Sequence, residues 1–308
     1  MVLARNETNL DWQSIEVQDV RCGLCGSGRY RPLLEEVHPG LVLRAVRCEE
    51  CGFVYTNPRL KQSSVRELYS REHYEGRDSA SGAYCLHAES TQSQYKQGLW
   101  ALSKHKRNGK LLDIGCGAGY FLQVAKCRGW SVSGIEFSDF AADLARKNVQ
   151  SEVYVGDLRS GMMEGCVFDV VTMWYVLEHV VDPQELLQES WKVMKEDGLL
   201  LVAVPNVKYL LAKFRILRFL GKPQCVFHLE EHLQHFSVQT LGRMLMQAGF
   251  SVVEELVAKP FDIRGRVPSR VQKKVAYYLV SLLFLVTGQN LGGLMVIAKK
   301  ASKSSQLG

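Results

Sequence analysis

The sequence has no hydrophobic run long enough to cross a membrane. Its longest apolar stretch, Val275–Thr287, is followed by Gly288 and falls short of the roughly 20 residues that a bilayer-spanning helix needs. Met1–Leu10 carries charges and does not have the apolar core of a secretory signal. Internal repeats and glycine- or serine-rich linkers are also missing. These absences predict a cytoplasmic protein whose parts pack together, with a buried or interfacial helix at the apolar stretch.

A strong charge of one sign is absent as well. The 308 residues carry a formal net charge of +6, a mild excess that fits an anionic substrate, a membrane surface, RNA or a solvated surface rich in lysine. The nine cysteines are an odd number, and four of them form two C-x-x-C pairs. We therefore expect a metal site in a reducing compartment rather than a disulfide framework.

The two cysteine pairs predict a zinc site. Cys22 and Cys25 form the first pair and Cys48 and Cys51 the second, with 22 residues between the pairs. Glycine follows each pair, which lets backbone N–H groups turn toward the thiolates. Four thiolates at this spacing can close a tetrahedral zinc site without an open position, which indicates a structural ion. Unliganded buried cysteines and a redox pair are the alternatives, and no thioredoxin-like context supports the second.

Short apolar strands alternate with helices from Lys110 onward. Strands are predicted at 111–114, 131–135, 152–155, 168–173 and 199–204, and helices at 120–127, 138–147 and 183–195. This alternation predicts an α/β fold, a parallel sheet with helices on both faces. Farther along, we expect a basic amphipathic helix at 208–220, a helix capped by Ser237, and strands at 251–257 and 294–298.

The same patterns divide the chain into regions. We predict a small N-terminal zinc-ribbon-like module at 1–59, a helical linker and lid at 60–108, and a main domain at 109–300. Within the main domain, lid helices are expected at 207–248. The polar residues 301–308 are expected to form a flexible tail.

A glycine-rich turn follows the first strand of the main domain. Asp113–Gly119 has the spacing G-x-G-x-G, with an acid two residues before the first glycine. Glycines permit a tight bend and a close backbone approach to a ligand. A nicotinamide fingerprint would have its third glycine at the position of Tyr120. The carboxylate before the turn suits a ligand with an ammonium group better than a pyrophosphate.

The order of these motifs resembles that of class I S-adenosylmethionine-dependent methyltransferases over about 110–257. The resemblance implies a Rossmann-like sheet of seven mostly parallel strands and S-adenosylmethionine as methyl donor. It places an acid, Glu136, on the ribose hydroxyls, and a second, Asp157, on the adenine amino group. The cofactor-binding residues that it implies are Asp113, Gly115, Cys116, Gly117, Gly119, Tyr120, Glu136, Phe137, Asp157, Leu158 and Trp174.

Two further segments narrow the resemblance. Cys48–Pro58 (CEECGFVYTNP) and Glu231–Ser237 (EHLQHFS) resemble deoxysugar C-methyltransferases and related natural-product enzymes, which join an N-terminal zinc module to this core. The pattern departs at Leu229, where those enzymes have a tyrosine before the acidic pair. The core also resembles ubiquinone-biosynthesis O-methyltransferases, which lack the zinc module.

Two Glu-His pairs are candidates for the proton transfer that an oxygen or carbon acceptor needs. The resemblance to the sugar enzymes places Glu231 and His232 in the active site, with the histidine as base. The other pair, Glu178-His179, follows the fourth strand at the edge that faces the cofactor in open α/β sheets. Structural histidines, or a metal bound by His228 and His232, are the alternatives.

The sequence says less about the methyl acceptor than about the methyl donor. The Asn/Asp-Pro-Pro-aromatic motif of amino-group methylation is absent at Met173–Tyr175, which argues against base-amino methylation of nucleic acid. We predict methyl transfer to an oxygen or carbon of a small molecule, a sugar or a lipid-linked glycan or natural-product precursor. The helix at 208–220 is either a lid packed on the core or an interfacial helix in peripheral membrane contact.

Three rival functions stay open. RNA or protein methylation fits the basic charge, although no nucleic-acid module is recognisable. A non-catalytic cofactor-fold protein would need a damaged glycine turn. A nicotinamide oxidoreductase is disfavoured by Tyr120. The oligomeric state is not predicted.

Overall fold

The computed structural model describes residues 2–4, 15–64, 88–161, 163, 165–221, 226–258 and 293–301, with isolated helical positions at 275, 278, 279 and 282. Its strands are β1 (Val2–Ala4), β2 (Val17–Gln18), β3 (Tyr30–His38), β4 (Leu41–Cys48), β5 (Val54–Thr56), β6 (Arg59–Leu60), β7 (Gly109–Ile114), β8 (Trp130–Glu136), β9 (Val153–Val155), β10 (Phe168–Trp174), β11 (Met194–Val204), β12 (Gln234–His235), β13 (Phe250–Ala258) and β14 (Gly293–Lys300). Its helices are α1 (Ala88–Ser103), α2 (Tyr120–Lys126), α3 (Asp139–Val149), α4 (Pro183–Lys192), α5 (Val207–Phe219) and α6 (Val238–Gln247), with a short 3₁₀ helix at Leu158–Ser160. Residues 65–87 of the expected linker, most of the apolar stretch and the tail beyond Ala301 lie outside the described residues.

The larger sheet has seven strands in the order β13-β14-β11-β10-β7-β8-β9. Neighbouring strands from β9 to β11 are parallel, and β14 runs antiparallel to β11 and to β13. The predicted Rossmann-like, mostly parallel sheet is therefore confirmed. Strand order reverses between β7 and β10, the place where open α/β sheets bind their ligands.

Alternate residues of each central strand enter different cores. On one face, Leu111 packs in a cluster with residues of α1, α2 and α3. On the other face, Leu112 packs with residues of α4 and α6. This alternation is what a strand buried on both faces requires, and it confirms that helices cover both faces.

One expected boundary is wrong. The helix predicted to reach about Lys195 ends at Lys192, and β11 begins at Met194 rather than Leu199. Met194 pairs with Phe168 before a break in the register of β10 and β11. The intervening residues 195–197 are polar and partly or fully exposed, so the alternation of apolar residues does not reveal this part of the strand.

A second sheet carries the cysteine pairs. Its strand order is β1-β3-β4-β5-β12, so its fifth strand comes from the segment just before α6. One face, with Phe53 and Tyr55, joins the core that contains α4 and α6. The other face packs against Phe214 of α5. The small strands β2 and β6 pair with each other.

In the part of the chain that the structure describes, no helix has the length and apolarity to span a bilayer.

Candidate functional site

The four cysteines of the two C-x-x-C pairs lie together, as predicted. Their Sγ atoms all lie within 4.8 Å of one another. The Cys22 and Cys51 sulfurs are 3.5 Å apart, as are those of Cys25 and Cys48. With Zn–S bonds of about 2.3 Å, a tetrahedral site has sulfurs separated by roughly 3.8 Å. The spacing therefore fits one zinc ion held by four thiolates.

Glycine-containing turns shape both pairs. Gly26 and Gly52 each have φ of +74°, a conformation that side chains rarely adopt. Gly26 N–H donates to the Cys22 carbonyl at 2.8 Å. Burial raises the pKa of the Cys22 thiol above its usual range and that of Cys51 to about 11. These thiolates would form more readily with a cation between them, which is the chemistry that zinc supplies.

Asp113 stands at the end of β7 with its carboxyl buried, only 2% exposed. Its Oδ1 accepts a hydrogen bond from Thr172 Oγ1 of the neighbouring β10 at 2.6 Å. Burial and, to a smaller extent, the nearby Glu136 carboxylate raise the pKa of Asp113 to about 8, against the lowering effect of the hydrogen bond from Thr172. The side chain is thus held in place by one donor and would gain from a bound cationic group.

The glycines after Asp113 allow a turn with backbone angles that other residues rarely adopt. Gly115, Gly117 and Gly119 have φ of +68°, +53° and +81°. A Cβ atom on Gly115 would lie 2.6 Å from Cγ2 of Val176. The turn therefore lies directly against the segment that follows β10.

Glu136 faces this turn from the end of β8. Its Oε2 accepts from Gly117 N–H at 2.8 Å and its Oε1 from Ser138 N–H at 2.9 Å. The carboxylate is buried, and these donors orient it at the crevice. Phe137, the next residue, is half-buried.

Asp157 is engaged by its own turn. Its carboxylate caps the 3₁₀ helix by accepting a hydrogen bond from the backbone N–H of Arg159 at 3.1 Å. The same carboxylate forms an ion pair with the Arg159 guanidinium group. Leu158 is buried beside it. The carboxylate therefore already has a local structural role at the end of β9.

The side chains of the remaining candidate cofactor-binding residues have different contacts. Trp174 is buried and packs edge-on against Tyr95 of α1, with ring centroids 4.9 Å apart. The Cys116 sulfur lies close to Gly134, whose Cβ position would be 2.6 Å from it, so this side chain faces the sheet. Tyr120 is half-buried at the start of α2.

The two Glu-His pairs come together at the carboxyl ends of the central strands. The rings of His179 and His232 lie 4.7 Å apart in an edge-to-face arrangement. His179 Nδ1 is 3.0 Å from the Glu231 carbonyl oxygen. Leu233 N–H donates to the carbonyl of Glu178 at 2.7 Å. Backbone and ring contacts thus join segments that are far apart in the sequence.

Glu178 is the acidic member of this cluster. It is 1% exposed, and neither carboxylate oxygen has a hydrogen-bond partner among the described residues. Its nearest basic group is His179 Nε2, at 3.9 Å from Oε1. Burial raises the pKa of Glu178 to about 8, so the carboxyl is largely protonated at neutral pH.

His232 has the opposite shift. Burial lowers its pKa well below the usual range, and the neighbouring His179 lowers it further. A neutral imidazole is the form that accepts a proton. Glu178, His179 and His232 each offer one ligand atom within 4.8 Å of the others, a spacing at which they could instead share a metal ion.

Other residues of this segment have structural contacts. The carbonyl of Glu231, rather than its carboxylate, contacts the His179 ring. His235 is buried beside Thr56 and the ring of Phe227, and burial lowers its pKa to about 3. Leu229, at the position of the tyrosine in the sugar enzymes, is fully buried in the core against α5.

Backbone strain is found beside the cluster. Tyr175 and His228 are two of the three described non-glycine residues with positive φ, at +58° and +53°. The Tyr175 hydroxyl donates to Gln94 Oε1 of α1 at 2.9 Å. Strained residues occur often at functional sites, and each of these two lies four residues before one of the paired histidines, His179 and His232.

Sequence reasoning missed three polar residues that position the site. Thr172 donates to Asp113, Gln94 accepts from Tyr175, and Thr56 donates to the His232 carbonyl at 2.7 Å. Thr172 interrupts the apolar run from Val170 to Trp174 of β10, and this interruption could have revealed it. The sequence holds no comparable signal for Thr56, because its partner lies 176 residues away.

A family model described as a methyltransferase domain matches residues 87–255, more than half of the chain. A ubiquinone biosynthesis O-methyltransferase of Actinobacillus pleuropneumoniae is 32% identical over 117 residues, covering 33% of this chain and 50% of the relative. That of Thiobacillus denitrificans is 30% identical over 164 residues, covering 50% and 68%. The chain spans about half the length of the first of these relatives.

Solved structures share the fold. A Thermotoga maritima S-adenosylmethionine-dependent methyltransferase superposes with a TM-score of 0.51 at 20% identity, covering 75% of this chain and 99% of the other. A methyltransferase from a Haloferax volcanii complex with the activator Trm112 gives 0.53 at 16% identity, covering 71% and 96%. Together with the strand order and glycine turn described above, the family match over residues 87–255 and the Thiobacillus denitrificans relative show that the chain belongs to the S-adenosylmethionine-dependent methyltransferase family.

Proposed function

We propose that the protein methylates an oxygen or carbon of a small molecule, a sugar or a lipid-linked glycan or natural-product precursor. The observation that carries this proposal is the meeting of Glu178-His179 with His232 beside the glycine turn. S-adenosylmethionine is already a strong electrophile, so the protein has to align the acceptor and remove its proton. The neutral imidazole of His232, in ring contact with His179, meets the second need.

In this proposal Asp113 holds the cofactor's ammonium group, and Glu136 holds its ribose hydroxyls. The buried carboxyl of Asp113 gains a counter-charge when the ligand binds. Glu136 is oriented for its role by the two N–H donors that it accepts from. Asp157 would have to receive the adenine amino group while keeping its contact with Arg159. The other proposed cofactor contacts are Gly115, Cys116, Gly117, Gly119, Tyr120, Phe137, Leu158 and Trp174.

His232 is the proposed base, and His179 its neighbour at the acceptor. The lowered pKa of His232 keeps its ring in the neutral form, which is the form that can accept a proton, although the same shift makes it a weaker base. The contact between His179 Nδ1 and the Glu231 carbonyl oxygen fixes the orientation of the His179 ring toward His232. Each ring is partly exposed, so a proton taken up by His232 can leave directly to solvent.

The zinc site has a supporting role in this proposal. Strand β5 of the cysteine-bearing sheet supplies Thr56, which donates to the carbonyl of His232. A bound zinc ion would stabilise the fold of that sheet, because four thiolates leave no open coordination position. The N-terminal module thus helps to position the base without taking part in the chemistry.

Three features support the acceptor class. The curated relatives are named O-methyltransferases of ubiquinone biosynthesis, which supports oxygen as acceptor and an apolar substrate. The combination of a zinc module with the Glu231–Ser237 segment supports a sugar and admits carbon as acceptor. Exposed Phe219 and Ile216 on α5 support an acceptor carried by a lipid, with the helix in contact with a membrane.

Calorimetry tests the cofactor assignment. The protein should bind S-adenosylmethionine and show no heat with nicotinamide cofactors. Asp113→Asn and Glu136→Gln keep the shape of each side chain and should each weaken the affinity about ten-fold or more, because each removes a charge-assisted hydrogen bond. Unchanged affinity in both variants would rule out the proposed contacts. Transfer of a labelled methyl group to catechols, nucleotide sugars and lipid-linked sugars then tests the acceptor class.

A further inference from the structure

Three arginines from two parts of the chain lie on or beside the face of the cysteine-bearing sheet that α5 covers. Arg31 on β3 and Arg47 on β4 are directly opposite each other in the antiparallel pairing. On β4, Leu43, Ala45 and Arg47 are each two residues apart, so their side chains lie on the same face of the sheet. The side chains of Leu43 and Ala45 belong to the core against α5. Both arginines therefore lie on the sheet face that α5 covers.

Arg215 brings a third positive charge from α5. It follows Phe214, whose side chain is buried against this sheet face. Phe214 belongs to the same buried cluster as Leu43 and Ala45 of β4. Arg215 therefore extends from a helix that lies over the strand positions next to Arg47.

No carboxylate of the described residues forms an ion pair with these arginines. Across the described ranges, Arg47 Nε is buried without a hydrogen-bond acceptor. A buried donor without an acceptor costs about 1–3 kcal/mol. Guanidinium groups match the oxygens of phosphate in geometry and charge, so the cluster fits a phosphate group.

Exposed apolar side chains lie next to the arginines. Phe219 is one helical turn after Arg215, on the same side of α5, and it is 90% exposed. Ile216 and Leu220 are 60% and 59% exposed. Positive charge beside protruding apolar side chains is typical of a surface that meets phosphorylated lipids. A soluble phosphate compound would not account for the apolar residues.

We propose that Arg31, Arg47 and Arg215 bind the phosphate of a lipid, with the apolar end of α5 contacting its hydrocarbon part. The interpretation of this lipid as the methyl acceptor rests on the proposed function. A lipid-linked acceptor bound here would be held near the histidines. Arg47 pairs across the sheet with Val54, and Val54 pairs with His235. Two strand spacings of about 4.8 Å each therefore separate the backbone of Arg47 from that of His235.

Vesicle sedimentation with the full-length, zinc-loaded protein tests the site. The protein should bind phosphatidylcholine vesicles that contain phosphatidylglycerol and should not bind phosphatidylcholine alone. Arg47→Gln and the more exposed Arg215→Gln should each weaken this binding roughly ten-fold, since each removes a charged hydrogen-bond donor. Lys213→Gln is the matched control, because it removes the same charge from the opposite flank of α5. It should change the affinity by less than about three-fold.

A second probe separates the phosphate contact from the apolar one. Inorganic pyrophosphate should bind in calorimetry, with the same dependence on Arg47 and Arg215. Phe219→Ser should weaken vesicle binding and leave pyrophosphate binding unchanged. Equal losses in Lys213→Gln and Arg47→Gln would overturn the site in favour of diffuse attraction. Pyrophosphate binding without vesicle binding would overturn the lipid assignment.

Failure of the proposed function can be distinguished from failure of this site. S-adenosylmethionine affinity is measured on the same variants and should not change, which also shows that they are folded. A wild-type protein that binds vesicles but not S-adenosylmethionine would remove the proposed function and leave the lipid site standing.

Discussion

The imidazole rings of His179 and His232 are in edge-to-face contact, with centroids 4.7 Å apart. One ring follows β10 and the other precedes β12, so the two parts of the chain meet at the carboxyl edge of the seven-stranded sheet. The Glu231 carbonyl oxygen, 3.0 Å from His179 Nδ1, fixes the orientation of the first ring. Each histidine therefore depends on the other's segment for its position.

His232→Asn should lower kcat by about 100-fold or more, because general-base catalysis typically contributes that much. Affinity for S-adenosylmethionine should stay within about two-fold of wild type, since the glycine turn is untouched. Steady-state kinetics with a labelled methyl donor and calorimetry give the two quantities. His105→Asn, at a partly exposed surface ion pair, is the control and should retain full activity. If His232→Asn is as active as this control, His232 is not the base.

The unliganded protein should lose stability as pH rises through the range in which Asp113 titrates. The folded-state pKa of Asp113 is about 8, against an ordinary value of 3.8. Its stabilising contribution is therefore complete below about pH 4 and lost as pH rises through about 8, at no more than about 1.4 kcal/mol per pH unit. Asp113→Asn cannot ionise, so subtracting its denaturation curves from those of wild type isolates this effect. A difference that does not vary with pH would contradict the burial of an ionisable carboxyl here.

Gly115→Ala should weaken S-adenosylmethionine binding about ten-fold or more. The new Cβ would meet Val176 at 2.6 Å and force the turn away from β10. Gly129→Ala is a matched control, because Gly129 also has a positive φ, +86°, with nothing within 4 Å of its Cβ position. Both variants should lose about 1–2 kcal/mol from backbone strain, and only the first should lose cofactor affinity. Equal affinities by calorimetry would show that the contact with Val176 does not shape the cofactor site.

Cys48→Ser should abolish binding of about one zinc equivalent per chain and lower Tm by roughly 10 °C or more. Metal analysis of protein purified without chelator, followed by calorimetric melting, measures both effects. Cys127→Ser changes an exposed cysteine outside the cluster and should retain zinc and Tm. Zinc-free wild-type protein would contradict the assignment of the four cysteines.

Much of the fold follows from local sequence patterns. Ser138 and Ser237 cap the helices that were predicted from them, and the strand from Leu111 to Ile114 has the residues expected of a strand buried on both faces. Capping and periodicity act over a few residues, so a single sequence reveals them. The cysteine cluster could be predicted as well, because the pair spacing carries most of the geometry.

The contacts that complete the candidate site are of another kind. Thr56 reaches His232 and His235 across more than 170 residues of chain, and Leu233 reaches the backbone of Glu178. No local pattern encodes these pairings, because they result from how the two sheets pack together. The sequence therefore predicted both Glu-His pairs as separate candidates and could not predict that they meet.

The pairing of β5 with β12 also affects how the chain folds during synthesis. Thr56 emerges from the ribosome long before His235, which lies 179 residues later. The cysteine-bearing sheet can gather its metal early, yet its β5 edge has no strand to pair with until most of the chain has been made. Contacts of such long sequence separation slow folding, and an unpaired edge strand invites association with other chains. A truncated chain that ends before β12 should therefore aggregate even when its four cysteines hold zinc.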